Sequence, residues 1–494
     1  MPQLYKPAEA AAWLRSCVTG SLFTDSRHVG KGDGFIAWPG AATDGRRFVA
    51  DVLAAQAAAC LVEAEGAPAT LLSTPHVAVY AGLKADAAAI AAAYFKDPSR
   101  KLRVVAVTGT NGKTSTTWWL ACALGRVQIT CAMVGTLGIG APDSLIFNGL
   151  TTPDPVLLQQ QLRVFVDRGF EVCAIEASSI GIAEQRLNAT AIEVAVFTNF
   201  TQDHLDYHGS MDAYWEAKKT LFGWVGLKAA VINIDDEKGV YLAQELALSG
   251  LQLWTFSAKS AAALQAKNVI QTSNTLSFDV VEGQACCRVT TAAVGMYNVS
   301  NLLGVISVMR ALGVPIAQAA QACCDLPAVP GRLEMLDLPA QPLVFVDYAH
   351  TPDALEKVLM ALRVTANDRG GRLWCVFGCG GNRDAAKRPL MAQSAQKNAD
   401  QIVVTSDNPR GEDPAEIIRQ TVAGLMSVQG VQIQVDRAQA IAQTIARAAS
   451  CDVVLLAGKG HEGYQEIAGV KHAFSDLALA TSALDHRSKS GALQ

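Results

Sequence analysis

The chain has 494 residues, enough for about three domains at roughly 150 residues each. Its 41 basic and 45 acidic side chains leave a net charge of −4, which argues against a polyanion binder driven by counterion release. Half the residues are hydrophobic and 17% are charged, which excludes disorder as the dominant state.

Despite a mean hydropathy of +0.20, the longest apolar stretches, such as 77–93, are broken by Lys84 and Asp86 and are too short to span a bilayer. The first residues, MPQLYKPAEA, lack a basic segment followed by an apolar core, so no signal peptide and a cytoplasmic location are expected. Twelve cysteines in so long a chain do not make a disulfide scaffold. Cys286–Cys287 and Cys323–Cys324 are adjacent, and Cys375 and Cys379 lie on an apolar strand and the turn after it. Reduced, mostly buried thiols are expected.

In chain order, the first hundred residues mix Ala-rich helical stretches with short strands expected at 34–38, 57–63 and 76–80. The polar segment 96–103, KDPSRKLR, reads as a linker. From Leu102 the pattern changes to apolar runs ending in polar residues and followed by helical periodicity: RVVAVTG, EVCAIEAS, EVAVFTN and AAVINID. Such runs predict a parallel sheet covered on both faces. The looser alternation over 275–291 predicts an antiparallel edge. A second series, PLVFVDYA, RLWCVFGC, DQIVVTSD, VQIQVD and DVVLLAGKG, follows Pro330-Gly331, with helices expected at 352–364 and 437–449. The reading is an α/β protein of three domains: a small α/β domain at 1–98, a central P-loop ATPase-like parallel-sheet domain at 99–331, and a Rossmann-like domain at 332–494. The polar motifs sit at strand carboxyl ends in the last two, which places the chemistry in a cleft between them.

The segment VVAVTGTNGKTSTTWWL is strand, Gly-rich loop and helix. Backbone N–H groups of such a loop cradle phosphates, Lys113 reaches the β- and γ-phosphates, and the Thr114 hydroxyl is a Mg²⁺ ligand. One departure from the strict motif is Val107, where glycine is the rule. Glu176, ending the AIEASS strand, reads equally as a second ligand for the metal or as a solvated end-of-strand acid. The loop FTNFTQDHLDYHG gathers Asp203, His204, Asp206 and His208, a set compatible with metal or phosphate chemistry or with a solvated turn. For Lys218 and Lys219 spacing alone favours plain solvation. DNPR, at 407–410, reads equally as a Pro-containing turn with an exposed Arg.

Taken together, DSR, GTNGKT, TTPDP, EASS, FTNFTQDHLDYHG, GMYNVSN, PGRLE, VDYAHTPDAL, GCGGNRD, DNPR and GKGHE resemble, in order and across essentially the full chain, the Mur ligase family. These are the ATP-dependent amide-forming enzymes of peptidoglycan precursor synthesis. The resemblance implies an ATP site at Gly109, Thr110, Asn111, Gly112, Lys113, Thr114 and Ser115, closed by Asn298, Asn301, Arg332 and Asp347, with Tyr348 and His350 lining the same cleft. It assigns Thr24, Ser26, Ala41, Ala42 and Thr43 to the UDP end of a nucleotide-sugar, and Thr151, Thr152, Ser178, Glu184 and Arg186 to its sugar-peptide portion. Leu150 and Glu184 depart from the family's Asn and Gln at those positions.

It further implies two Mg²⁺ sites, one at Thr114 and Glu176, the other at His204 and Lys218, the lysine carrying a CO₂-derived carbamate. Catalysis would then rest on Lys113, His204 and Lys218. Arg383, Asp407, Asn408, Pro409, Arg410, Gly458 and Glu462 match positions for meso-diaminopimelate, whose second carboxylate suits bidentate arginine bonds. The implied substrates are UDP-N-acetylmuramoyl-L-alanyl-D-glutamate, meso-diaminopimelate and ATP, joined through an acyl phosphate. A monomer that binds neither nucleic acid nor membrane is expected. Folylpolyglutamate synthase shares the variant loop, but DNPR with GKGHE and a separate N-terminal domain argue against it. A P-loop ATPase that switches a partner protein remains the alternative from another class.

Overall fold

Parallel pairing dominates the computed structural model, which describes residues 3–40, 43–273 and 275–491. The N-terminal sheet runs Gln3–Leu4, Val77–Tyr80, Ala59–Glu63, Gly34–Ala37 and Leu22–Phe23, every pair parallel. Helices Pro7–Cys17 and Leu83–Tyr94 lie against it, and Val156 of helix Pro155–Asp167 joins the same apolar cluster as Leu14, Ile36 and Ile90. That shared core fixes the first lobe on the second.

The segment expected to be a linker is instead ordered. Pro98–Lys101 is a 3₁₀ turn with Pro98 and Ser99 buried, and the Ser99 hydroxyl accepts from Ala191 N at 3.0 Å. Ser99 satisfies a backbone group, while Lys96, Asp97, Arg100 and Lys101 stay exposed; composition alone does not reveal the buried turn.

The central sheet has ten strands, in the order Ala285–Thr291, Leu276–Glu282, Leu264–Gln271, Gln252–Ser257, Ala229–Asn233, Ile192–Phe197, Arg103–Thr108, Val172–Glu176, Cys131–Gly135 and Gly138–Gly140. The antiparallel edge expected at 275–291 is there. Along the central strand Val105 and Val107 face one apolar cluster, while Val104 and Ala106 face another. The uninterrupted apolar run therefore reflects burial on both faces. Val107, the departure from the strict loop motif, is fully buried in that strand, so the loop proper begins at Gly109.

The C-terminal sheet orders Glu334–Leu336, Leu343–Asp347, Val453–Ala457, Leu373–Phe377, Gln401–Val404 and Val431–Ile433, parallel except for the first. A hairpin of Tyr464–Ile467 and Val470–Ala473 follows, which periodicity had not suggested. All twelve cysteines are free, but only half are buried, fewer than expected; Cys286 is exposed on the edge strand Ala285–Thr291. No helix among the described residues is long and apolar enough to cross a membrane.

Candidate active site

The loop after strand Arg103–Thr108 turns where only glycine fits. Gly109 has φ +140°, and a Cβ there would lie 1.9 Å from the Thr198 hydroxyl; one on Gly112, at φ +85°, would lie 2.4 Å from Asn301 Oδ1. The loop feeds helix Lys113–Arg126, whose first backbone N–H groups have no partner within the helix and suit an anion. Lys113 Nζ donates to Gly109 O and Thr110 O at 2.8 Å each, folded back over its own loop.

Lys218, 1% exposed on helix Met211–Lys219, donates to the same Gly109 carbonyl at 2.8 Å and lies 4.4 Å from the Tyr214 ring centre. Burial, with the Lys113 charge adding to it, holds the Lys218 amine well below the usual lysine range. A neutral amine is thereby favoured. Glu176 is fully buried at the end of the strand neighbouring the loop strand. Its carboxylate accepts from Thr114 Oγ1 at 3.0 Å, Thr136 N at 2.8 Å and Thr136 Oγ1 at 3.1 Å. No ion pair to Glu176 is formed among the described residues. A buried carboxylate served only by neutral donors is an environment that suits a cation.

Asp203, 5% exposed, collects basic side chains from both lobes. His204 Nε2 is 3.4 Å away, Lys387 Nζ 3.7 Å and His350 Nε2 3.9 Å. Burial alone would raise its carboxyl; Lys387 and the two histidines more than offset that and hold it low. Burial lowers His204 to about 3, so its imidazole is neutral and able to act as a ligand. Among the described residues no three His, Cys, Asp or Glu side chains converge as a ready-made metal cage. Mg²⁺ ordinarily takes only one or two carboxylates and completes its shell with phosphate and water, so Thr114 with Glu176 fits one ion. His204 with Lys218 fits a second better if the lysine nitrogen carries a carboxylate, because Mg²⁺ takes oxygen ligands in preference to an amine.

Facing this phosphate end, a cavity of about 410 Å³ extends to the C-terminal lobe. Thr151, Thr152, Ser178 and Arg186 line it on the central side. Thr152 Oγ1 donates to Glu176 O at 2.7 Å, and Arg186 Nη1 donates to Thr152 O at 2.9 Å. Arg383, Asp407, Asn408, Arg410, Gly458 and Glu462 line it opposite. Pro409 does not; its carbonyl sits 1.9 Å from where a Gly381 Cβ would be, so it shapes the turn.

Other expected positions lie elsewhere. Glu184 is outside the cavity lining; its carboxylate pairs with Lys84 Nζ at 2.7 Å and accepts from the Tyr207 hydroxyl at 2.6 Å. In this structure Glu184 bridges the first two lobes, an acid there attracting the lysine that faces it. Leu150, the other departure, does line the cavity. Thr24, Ser26 and Thr43 belong to the N-terminal lobe away from the cavity, while Ala41 and Ala42 fall outside the described residues. Asn298 and Asn301 are buried beside the loop, Asp347 is buried at the end of its strand in the C-terminal sheet, and only Arg332 of that group reaches the cavity. Asp347 accepts from Leu333 N and Ala349 N at 2.7 Å each.

Two lysines escaped the sequence reading. Lys387 reaches Asp203 from the C-terminal lobe. Lys459, fully buried, donates to Glu462 Oε2 at 2.9 Å and Asn408 Oδ1 at 3.1 Å. A lysine between two glycines in GKGHE was the one available signal for the latter.

Residues 107–309 match the Mur ligase middle domain, and 331–460 match the Mur ligase, glutamate ligase domain. The chain is 58% identical over 486 residues to the UDP-N-acetylmuramoyl-L-alanyl-D-glutamate--2,6-diaminopimelate ligase of Acidovorax sp. (strain JS42), covering 97% of both chains. It is 47% identical to the protein of the same name from Janthinobacterium sp. (strain Marseille), again over 97% of each. A solved structure bearing that enzyme name aligns with TM-score 0.64 and 34% identity over 95% of both chains. MurF from Acinetobacter baumannii aligns with TM-score 0.70 at 17% identity over 97% of this chain and 98% of its own, a likeness of fold.

Proposed function

The chain belongs to the Mur ligases, and on that premise we propose that it joins meso-2,6-diaminopimelate to the γ-carboxylate of D-Glu in UDP-N-acetylmuramoyl-L-alanyl-D-glutamate, using ATP. One observation carries this reading. A phosphate loop with the buried Glu176, and a DNPR loop whose Arg410 is joined by Arg383 of another turn, line opposite walls of one cavity.

A carboxylate and an ammonium do not condense in water without activation. ATP activates the acid: the D-Glu carboxylate oxygen attacks the γ-phosphorus, ADP leaves and an acyl phosphate remains. The amine of diaminopimelate then attacks the acyl carbon, the tetrahedral adduct collapses, and phosphate departs with the oxygen that came from the acid. Lys113, released from Gly109 O and Thr110 O, neutralises phosphate oxygens, while the loop N–H groups orient them. Thr114 and Glu176 would hold one Mg²⁺, and His204 with a carbamylated Lys218 the other; bound there, the ions supply charge neutralisation at the transferring phosphoryl group. Thr151, Thr152, Ser178 and Arg186 orient the peptide acid, and Lys387 adds a positive charge from the opposing lobe. Arg383 and Arg410 take the distal carboxylate of diaminopimelate, with Asp407 and Glu462 for its ammonium. No nucleophilic side chain is needed. The N-terminal lobe, with Thr24, Ser26 and Thr43, takes the UDP end. Asn298, Asn301, Arg332 and Asp347 close over the adenosine.

The test is ADP release with each substrate omitted in turn, using acid labelled with ¹⁸O in its carboxylate. A ligase is nearly silent until acid and amine are both present, and one label appears in the phosphate. ATP hydrolysis independent of both would favour a nucleotide-driven switch instead.

A further inference from the structure

Glu462 and Arg410 belong to different loops, and the hairpin Tyr464–Ala473 joins them. Arg410 has φ +52°, the left-handed region that a non-glycine residue adopts at a cost. Something outside its own loop must therefore keep it there. The hairpin does so through Gln465, Glu466 and Ala468. Arg410 N donates to Glu466 O at 2.9 Å and Ala468 N donates to Arg410 O at 2.7 Å, a parallel bridge centred on Ile467. Glu466 N donates to Asn408 Oδ1 at 2.9 Å, and Gln465 Nε2 donates to Asp407 O at 2.7 Å. The Glu466 carboxylate stands 3.7 Å from Arg410 Nε, which leaves Nη1 to donate to Gly381 O at 2.9 Å. Every backbone unit from Asp407 to Arg410, apart from proline, is thus reached from the hairpin directly or through one side chain. The outer strand Val470–Ala473 is wholly exposed, so its burial cannot be why the hairpin exists.

We propose that this hairpin is a positioning element for amino-acid selection: it holds Arg410 in its left-handed conformation so that the guanidinium meets the second carboxylate of the incoming amino acid. The inference rests on the diaminopimelate reading and deepens it. Lysine has the same chain without that carboxylate, so a displaced Arg410 erodes discrimination while leaving ATP binding intact.

Ala468→Pro removes the N–H bonded to Arg410 O and imposes a negative φ where the chain has φ +48°. The expected result is a KM for diaminopimelate raised about tenfold or more, the ATP KM unchanged, and the diaminopimelate-over-lysine ratio of kcat/KM reduced about tenfold. Ala468→Gly keeps both the N–H and the conformation and should retain full selectivity. Gln465→Ala, which leaves the backbone alone, should move the same two quantities by about threefold if Ala468→Pro fails to fold. Arg410→Ala is run in parallel. If it leaves the diaminopimelate KM untouched, the substrate reading falls. If it raises that KM while Gln465→Ala and any folded Ala468→Pro behave as wild type, or disturb ATP and diaminopimelate equally, the clamp alone is refuted.

Discussion

Arg332 Nη2 donates to Thr114 Oγ1 at 3.1 Å, so the first residues of the C-terminal lobe touch the first turn of the phosphate-loop helix. The same guanidinium lies 4.6 Å from the Tyr348 ring centre, and its Nε is buried without a partner. The contact joins the lobes at the hydroxyl proposed as a metal ligand, beside the Lys387 and His350 contacts to Asp203.

Arg332→Ala should therefore raise the ATP KM by roughly tenfold to a hundredfold, the range for losing a hydrogen bond to a charged group. Arg332→Lys should recover little, because a point charge cannot both stack on Tyr348 and reach Thr114. Initial-rate kinetics with ATP varied at saturating acid and amine decides it; an unchanged ATP KM counts against the coupling.

Lys387 is the nearest lysine to Asp203 and comes from the other lobe. Lys387→Met should reduce kcat by about tenfold or more, since a positive charge near the reacting phosphoryl group is lost, and should lower the thermal midpoint, since buried Asp203 loses its nearest counter-charge. It should also raise the His350 pKa, because the Lys387 charge helps lower it to about 4, after burial. NMR titration of the His350 ring reads this second effect; no shift would mean the lysine is not close enough to act.

Lys218 should be found as a carbamate when the protein is kept in bicarbonate, since burial lowers its amine well below the usual lysine range and the neutral amine is the form that adds CO₂. Native mass spectrometry of wild type against Lys218→Ala tests for the adduct. An unmodified amine at saturating bicarbonate removes the second metal site from the proposal.

Stability should fall as the pH drops from about 6.5 towards 4. Burial, with Arg332 adding to it, lowers His461 from 6.5 to about 4, so over that interval the unfolded chain binds a proton that the folded chain refuses. His350, at about 4, and His204, at about 3, act in the same direction. Asp25, lowered from 3.8 to about 2 chiefly by its hydrogen bond to Arg27, costs stability only below this interval. Urea midpoints at pH 7.5, 6 and 5 should decline in wild type and less steeply in His461→Asn; a flat wild-type profile overturns the assignment.

Much of this architecture could be read from residue order. Uninterrupted apolar runs such as RVVAVTG must be strands buried on both faces, and glycine at 109 and 112 beside Lys113-Thr114 announces a phosphate loop. Those signals are local, because side-chain chemistry and chain stiffness act over a few residues. The residues for opposite ends of the cavity, Thr151 with Ser178 and Arg383 with Arg410, could be named only through a family resemblance, since nothing in their spacing says they meet. What tertiary structure alone decided was pairing at a distance. Lys84 claims Glu184, Lys387 and His350 claim Asp203, and the Tyr464–Ala473 hairpin claims Arg410. An ion pair or a backbone bridge forms between groups that the fold brings within a few ångströms, and separation along the chain carries no record of that approach.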